Sequence, residues 1–201
     1  MARSFFAVRP KRAVSVLPVD SNPSVSPCSQ TNMEAHITET MTMLTDYILA
    51  IQTSAYAWML SRRVSRRPSR TVQLWIRGLY LAAIGALAGG TAHGFRLFVP
   101  GPPLAVLWTI TIGSLALTTV TLSWAAIRSA RQPESTNADD RAAGLRWLKL
   151  MLVSVITASA IAVFGLSPHP RFNHFDLAHV VLMAGLYAAY RGVIMRHLET
   201  A

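Results

Sequence analysis

The feature that most limits what this chain can become is the stretch 103–127, which contains no charged residue. A helix rises ~1.5 Å per residue, so such a run is long enough to cross the ~30 Å hydrocarbon core of a bilayer. Four further apolar runs, 43–60, 72–95, 147–166 and 172–195, are each close to the ~20 residues that a span requires. They are continuous rather than alternating, which disfavours barrel strands and predicts an all-α, polytopic transmembrane bundle of about five helices. The fifth run is the weakest of these, because Asp176, His179 and Arg191 shorten its clean apolar centre. With 52% hydrophobic and only 14% charged residues, the chain is too charge-poor for an ordinary soluble domain.

Residues 1–40 read differently. They are rich in Ser, Pro, Val and Arg and lack sustained helical periodicity, so they are expected to be a disordered extension preceding a bundle at 41–201. Met33 and Met41 precede the first run and Met43 opens it, and an alternative start at one of them is the blander account of the extension. Cys28 is the single cysteine, which leaves no intrachain disulfide and no cysteine-based metal cage. The formal charge of +10 would suggest nucleic acid in a soluble protein. Here the basic residues cluster between apolar runs, as in Arg62, Arg63, Arg66, Arg67 and Arg70, and no nucleic-acid motif accompanies them, so the expected partner is the lipid bilayer.

Those clusters also set an orientation. The segment 61–70, the ends of the loop 128–149 and the C-terminal Arg191 and Arg196 are basic, whereas the alternate loops carry only Arg96 and Arg171. The positive-inside rule therefore predicts an N-terminus outside and a C-terminus in the cytoplasm, in what would be a bacterial cytoplasmic membrane. Trp58, Trp75, Trp124 and Trp147 fall near inner helix ends and Trp108 near an outer one, positions that suit an interfacial aromatic belt. Gly85 with Gly89, and Gly90 with Gly94, make GxxxG spacings that let backbones approach. They fit packing within the chain first, given the neighbouring helices, and contact between copies in a homo-oligomer second.

Ionisable groups inside a bilayer cost ~2.5–3.5 kcal/mol each even on the lenient insertion scale, so those that persist need partners. In the predicted orientation Asp46, His93, Asp176 and His179 all fall at outer helix ends, although they come from three runs. Asp176 and His179 are three apart and share a helical face, and His174 lies just before them. Imidazoles and carboxylates so gathered are the ligand types of a catalytic zinc site, with His93, Asp176 and His179 on the metal. Asp46 would serve there as general base or as the carboxylate that orients a ligating histidine.

Simpler readings stand beside this one. His93 suits an interfacial histidine bonded to backbone, and Asp176 and Asp46 suit helix N-termini, where the dipole favours carboxylates and Thr45 could cap. Arg77 and Arg191 read as snorkelling residues, Asp139 and Asp140 as solvated loop charges, and His169 as part of a proline-flanked turn.

The segments Leu44-Thr-Asp-Tyr-Ile-Leu-Ala50, Gly89-Gly-Thr-Ala-His-Gly-Phe95 and Asp176-Leu-Ala-His179 resemble a group of small uncharacterised bacterial membrane proteins. More distantly, a histidine ending one helix and a late helix with a histidine motif resemble the CREST superfamily of membrane hydrolases, which includes the alkaline ceramidases. That resemblance implies seven spans, zinc held by three histidines and hydrolysis of lipid amides. Only His93 and His179 match its pattern: Asp176 and His179 stand where the family has a His-x-x-x-His pair, and Gly89 where it has a serine. Two functions are therefore carried forward, an integral membrane protein whose outer polar residues bind or knit, and a zinc-dependent membrane hydrolase. A small transporter comes third, because no charged or broken-helix site lies near the midplane. Whether the chain is an enzyme stays open at this point.

Overall fold

The computed structural model describes residues 39–63, 68–131, 138–169 and 172–197. Cys28, Met33 and all but two residues of the predicted extension 1–40 lie outside them. Five helices follow in order: α1 (Thr40–Arg63), α2 (Arg70–Phe95), α3 (Gly101–Arg131), α4 (Ala138–Phe164) and α5 (His174–His197). Among the described residues the all-α expectation holds, with five helices where the CREST resemblance implies seven. Four of them, α2 to α5, are long and apolar enough to cross a membrane.

The helix that falls short is α1 rather than the fifth. Its apolar average is diluted by Thr42, Thr45, Asp46 and Thr53, and the fold turns those residues inward. They lie on one stripe with Leu49, Ala50, Ala57 and Leu60, at spacings of three and four that keep a single face of the helix buried. On the other side Leu44, Ile48, Ile51 and Trp58 are exposed, Ile51 to 70%. A helix facing water would reverse that pattern. Buried polar groups and exposed large apolar ones are what a lipid surround selects, since lipid gives an apolar residue no reason to hide.

Helix adjacency explains why α1 can be the polar one. It packs along α2 and touches α5, while α2 packs along α3 and α5 along α4. The order across the bundle is thus α3, α2, α1, α5, α4, with α1 in the middle. Half of the apolar window in α2 and in α5 is buried, against 11% in α3 and 17% in α4. The outer helices turn large apolar side chains outward, such as Leu115 and Val120 on α3 and Val153 and Ile156 on α4, as lipid allows.

Both glycine pairs are used within the chain. A Cβ on Gly85 would stand 3.1 Å from Ser114 of α3, and one on Gly89 3.3 Å from both Thr111 of α3 and Asp46 of α1, so this pair seats α3 and Gly89 also admits α1. A Cβ on Gly90 would stand 2.9 Å from the Tyr47 ring, and one on Gly94 would strike Met43, so the second pair seats α1. All four glycines are buried. The α4–α5 contact uses the same device at Gly144, Gly185 and Gly192, where a Cβ on Gly192 would lie 3.2 Å from the Gly144 carbonyl oxygen.

Three further expectations change. Trp75 is no interfacial anchor: it is fully buried beside Leu60, Leu79 and Val193, with Nε1 donating to Ser129 Oγ at 3.0 Å. Asp139 and Asp140 lie in the first turn of α4, which begins nine residues before the apolar run, rather than in a loop. Arg191 has its guanidinium 5.9 Å from the centre of the Trp147 ring, a cation–π contact beyond simple snorkelling.

Candidate functional site

The N-terminal halves of α1 and α5 and the C-terminal turn of α2 meet at one end of the bundle. The α5 start is built by Asn173. Its side-chain Oδ1 accepts from the Phe175 N–H at 2.7 Å and the Asp176 N–H at 3.1 Å, while Asp176 Oδ2 accepts from the Asn173 N–H at 2.8 Å. This reciprocal pairing is a capping box, with Asp176 in the place Glu or Gln often takes, and it satisfies donors that a helix start would otherwise leave bare.

Asp176 does a second job. Its Oδ1 accepts from Thr42 Oγ1 at 2.7 Å, and Asn173 Nδ2 donates to the same threonine oxygen at 2.9 Å. Asp176 and Thr42 are both fully buried. The carboxylate thus ties the start of α5 to the start of α1, through charge-assisted bonds shielded from solvent.

One turn along, His179 stands between two residues of α1. Its Nδ1 lies 3.1 Å from Thr45 Oγ1, and its Nε2 lies 3.3 Å from Asp46 Oδ1. The hydrogens can be assigned by following the donors. Thr45 Oγ1 donates to the Thr42 carbonyl at 3.0 Å, which uses its one hydrogen, so His179 Nδ1 carries a proton and donates to Thr45. A carboxylate facing an unprotonated Nε2 would set lone pairs against each other in a buried place. Asp46 and His179 therefore hold one proton between them, as imidazolium with carboxylate or as neutral imidazole with carboxylic acid.

His93 joins a different group. Its Nδ1 is 2.5 Å from Glu39 Oε2, and Arg96 Nη1 is 3.2 Å from Glu39 Oε1. The His93 ring meets Trp108 of α3 edge-on, at 5.1 Å between centroids. Beside it Tyr47 Oη and Thr91 Oγ1 lie 3.2 Å apart, closing α1 on α2.

Of the four residues singled out in the sequence, Asp46 and His179 come into direct contact. Asp176 is linked to them through Thr42 and Thr45, and His93 pairs with Glu39 instead. Among the described residues no three His, Cys, Asp or Glu side chains are grouped to hold a metal ion. The donor chemistry gives the reason: both ring nitrogens of His179, Nδ1 of His93 and both oxygens of Asp176 are engaged by protein groups. As arranged, these residues do not fit a zinc ion held by His93, Asp176 and His179. His174, also at this end, has its ring centroid 4.2 Å from that of Phe175.

Glu39, Thr42 and Asn173 were not singled out as site residues. Two signals could have found Thr42 and Asn173: Thr42, Thr45, Asp46 and Leu49 continue the i, i+3, i+4, i+7 stripe, and Asn173 to Asp176 has capping-box spacing. Glu39 carries no such signal, since it precedes the helix.

Fold and site together define a membrane helix bundle with a buried polar clasp at one end. The chain belongs to a family of unknown function, DUF6962, whose model matches residues 41–139 and 135–197. Those matches contain Asp46, His93, Asp176 and His179, while Glu39 lies just before them. Nothing among the curated proteins or the solved structures matches the chain.

Proposed function

We propose that this chain is an integral membrane protein of the bacterial cytoplasmic membrane with a structural or partner-holding role and no hydrolytic chemistry. All five helices cross, with the N-terminus outside and the C-terminus in the cytoplasm, and the cluster at the outer ends of α1, α2 and α5 is a clasp. The observation that carries this reading is that the polar atoms there satisfy one another: Thr42, Asn173 and Asp176 close one network, and Thr45, Asp46 and His179 the next. A hydrolytic site keeps a position open for metal-bound water or substrate, and here such a position would require breaking the buried bonds that hold α5 on α1.

Metal content of the detergent-purified protein tests it. We expect no stoichiometric zinc in the wild type, and lowered thermal stability in His179→Ala. Stoichiometric zinc that is lost in both His93→Ala and His179→Ala would overturn the reading in favour of a zinc-dependent hydrolase. The orientation has its own test. Single cysteines at Ser65 and Pro168, in a Cys28→Ser background, are expected to label from opposite sides of the membrane, and labelling of both from one side would refute it.

A further inference from the structure

The opposite end of the bundle holds a group of cations that the clasp does not involve. Arg70 and Arg77 of α2 and Arg128 of α3 line one cleft of ≈ 250 Å³, together with Gln73, Leu74 and Trp124. Among the described residues none of these three guanidiniums is in an ion pair, whereas Arg96 at the other end has Glu39. Three like charges around one cleft at the edge of a low-dielectric medium repel one another, and an anion among them would relieve that repulsion. The start of α2, capped by Ser69, adds the positive end of its helix dipole beside Arg70.

The surroundings indicate what carries the anion. Trp124 is 51% exposed, and above it on the same face of α3 come Val120, Leu117 and Ile110, at spacings of three, four and seven that keep them in one stripe. All of these are exposed, so an apolar track along α3 leads straight into the basic cleft. A free anion would use the cleft and leave the track bare. A lipid would use both, with its phosphate among the arginines, its glycerol region beside Trp124, and an acyl chain against Val120 and Leu117.

We infer that the cleft lined by Arg70, Arg77, Trp124 and Arg128 is a binding site for the phosphodiester headgroup of an anionic phospholipid. Guanidinium suits this ligand because its fork pairs with two phosphate oxygens at once. The site needs only that this end of the bundle lie at a membrane surface, so it stands independently of the clasp and of the orientation.

Native mass spectrometry of the full chain in detergent tests the inference, with phosphatidylglycerol, phosphatidylcholine and inorganic phosphate as probes. Phosphatidylglycerol should be retained with about a tenfold preference over phosphatidylcholine, and millimolar inorganic phosphate should not displace it. The triple variant Arg70→Gln, Arg77→Gln, Arg128→Gln should lose that preference. A control that removes equal charge at the same end, Arg62→Gln, Arg63→Gln, Arg131→Gln, should keep it. Equal retention of the two lipids, displacement by inorganic phosphate, or equal loss in both triple variants would each overturn the site. The comparison of lipids and phosphate on the wild type decides the matter alone if the first triple variant fails to fold.

Discussion

The two ends of the bundle solve opposite problems with polar residues. At the Asp46 end, buried acids and hydroxyls and a half-buried imidazole complete one another, so that Thr42, Asp176 and His179 hold α5 on α1. At the Trp75 end, Ser129 is the internal hub: it accepts from Trp75, lies 3.1 Å from His197 Nε2, and gives its carbonyl oxygen to Arg196. Beside that hub, Arg70, Arg77 and Arg128 are left around an open cleft. The lesson is that a closed network consumes its own chemistry, whereas cations without anions at a membrane boundary invite a ligand from outside.

Breaking the closed end should cost most. His179→Ala strands the buried Asp46 and is expected to destabilise the detergent-solubilised protein by about 3 kcal/mol, read from chemical or thermal unfolding. Asp46→Asn should cost less than half of that, because an amide N–H can replace the shared proton and donate to Nε2. Equal losses in the two variants would contradict the one-proton pair.

The glycine seam that brings α1 to α2 near the same end comes next. Gly90→Leu must displace Tyr47 and Asp46 and should cost about 2 kcal/mol, whereas Gly113→Ala, where a Cβ meets nothing within 4 Å, should be neutral or stabilising by up to about 1 kcal/mol. The same unfolding measurement separates them, and a Gly90→Leu variant as stable as Gly113→Ala would show that helix propensity rather than close approach governs the seam.

At the Trp75 end the expected change is smaller. Trp75→Phe removes the indole donor to Ser129 and should cost about 1 kcal/mol or somewhat more with the lost volume, while Trp58→Phe, on a residue 56% exposed, should cost little. The smallest effect belongs to Glu39→Gln. Its partners His93 and Arg96 have side chains 18% and 52% exposed, and an amide can still bond to the His93 ring, so the loss should stay at about 0.5 kcal/mol, and a loss as large as that of His179→Ala would place Glu39 inside the clasp rather than at its rim.

Much of the architecture was legible along the chain because lipid imposes a one-dimensional rule. Runs of about 20 apolar residues must be helices if they are to satisfy their backbones in hydrocarbon, so the number and approximate bounds of the elements follow from hydropathy. The exception was α1, whose threonines and Asp46 lower its apolar average. That average records how polar a segment is and not which way its polar side faces, so the inverted face of α1 needed neighbours on both sides to make sense. Trp75 misled for a related reason: tryptophan suits both an interface and a core, and burial beside Leu79 and Val193 decided between them.

By itself the sequence determined an all-helical bundle apolar enough for lipid and the gathering of Asp46, His93, Asp176 and His179 toward one end. Tertiary structure alone decided which of those residues meet. His179 reaches Asp46 and Thr45, Asp176 caps α5 while holding Thr42, and His93 turns to Glu39, which no local pattern marked. The physical reason is range. Hydropathy and helical periodicity act over a few turns of one segment, whereas a buried proton or carboxylate is balanced by whichever helix lies across from it, here 134 residues away for Thr42 and Asp176.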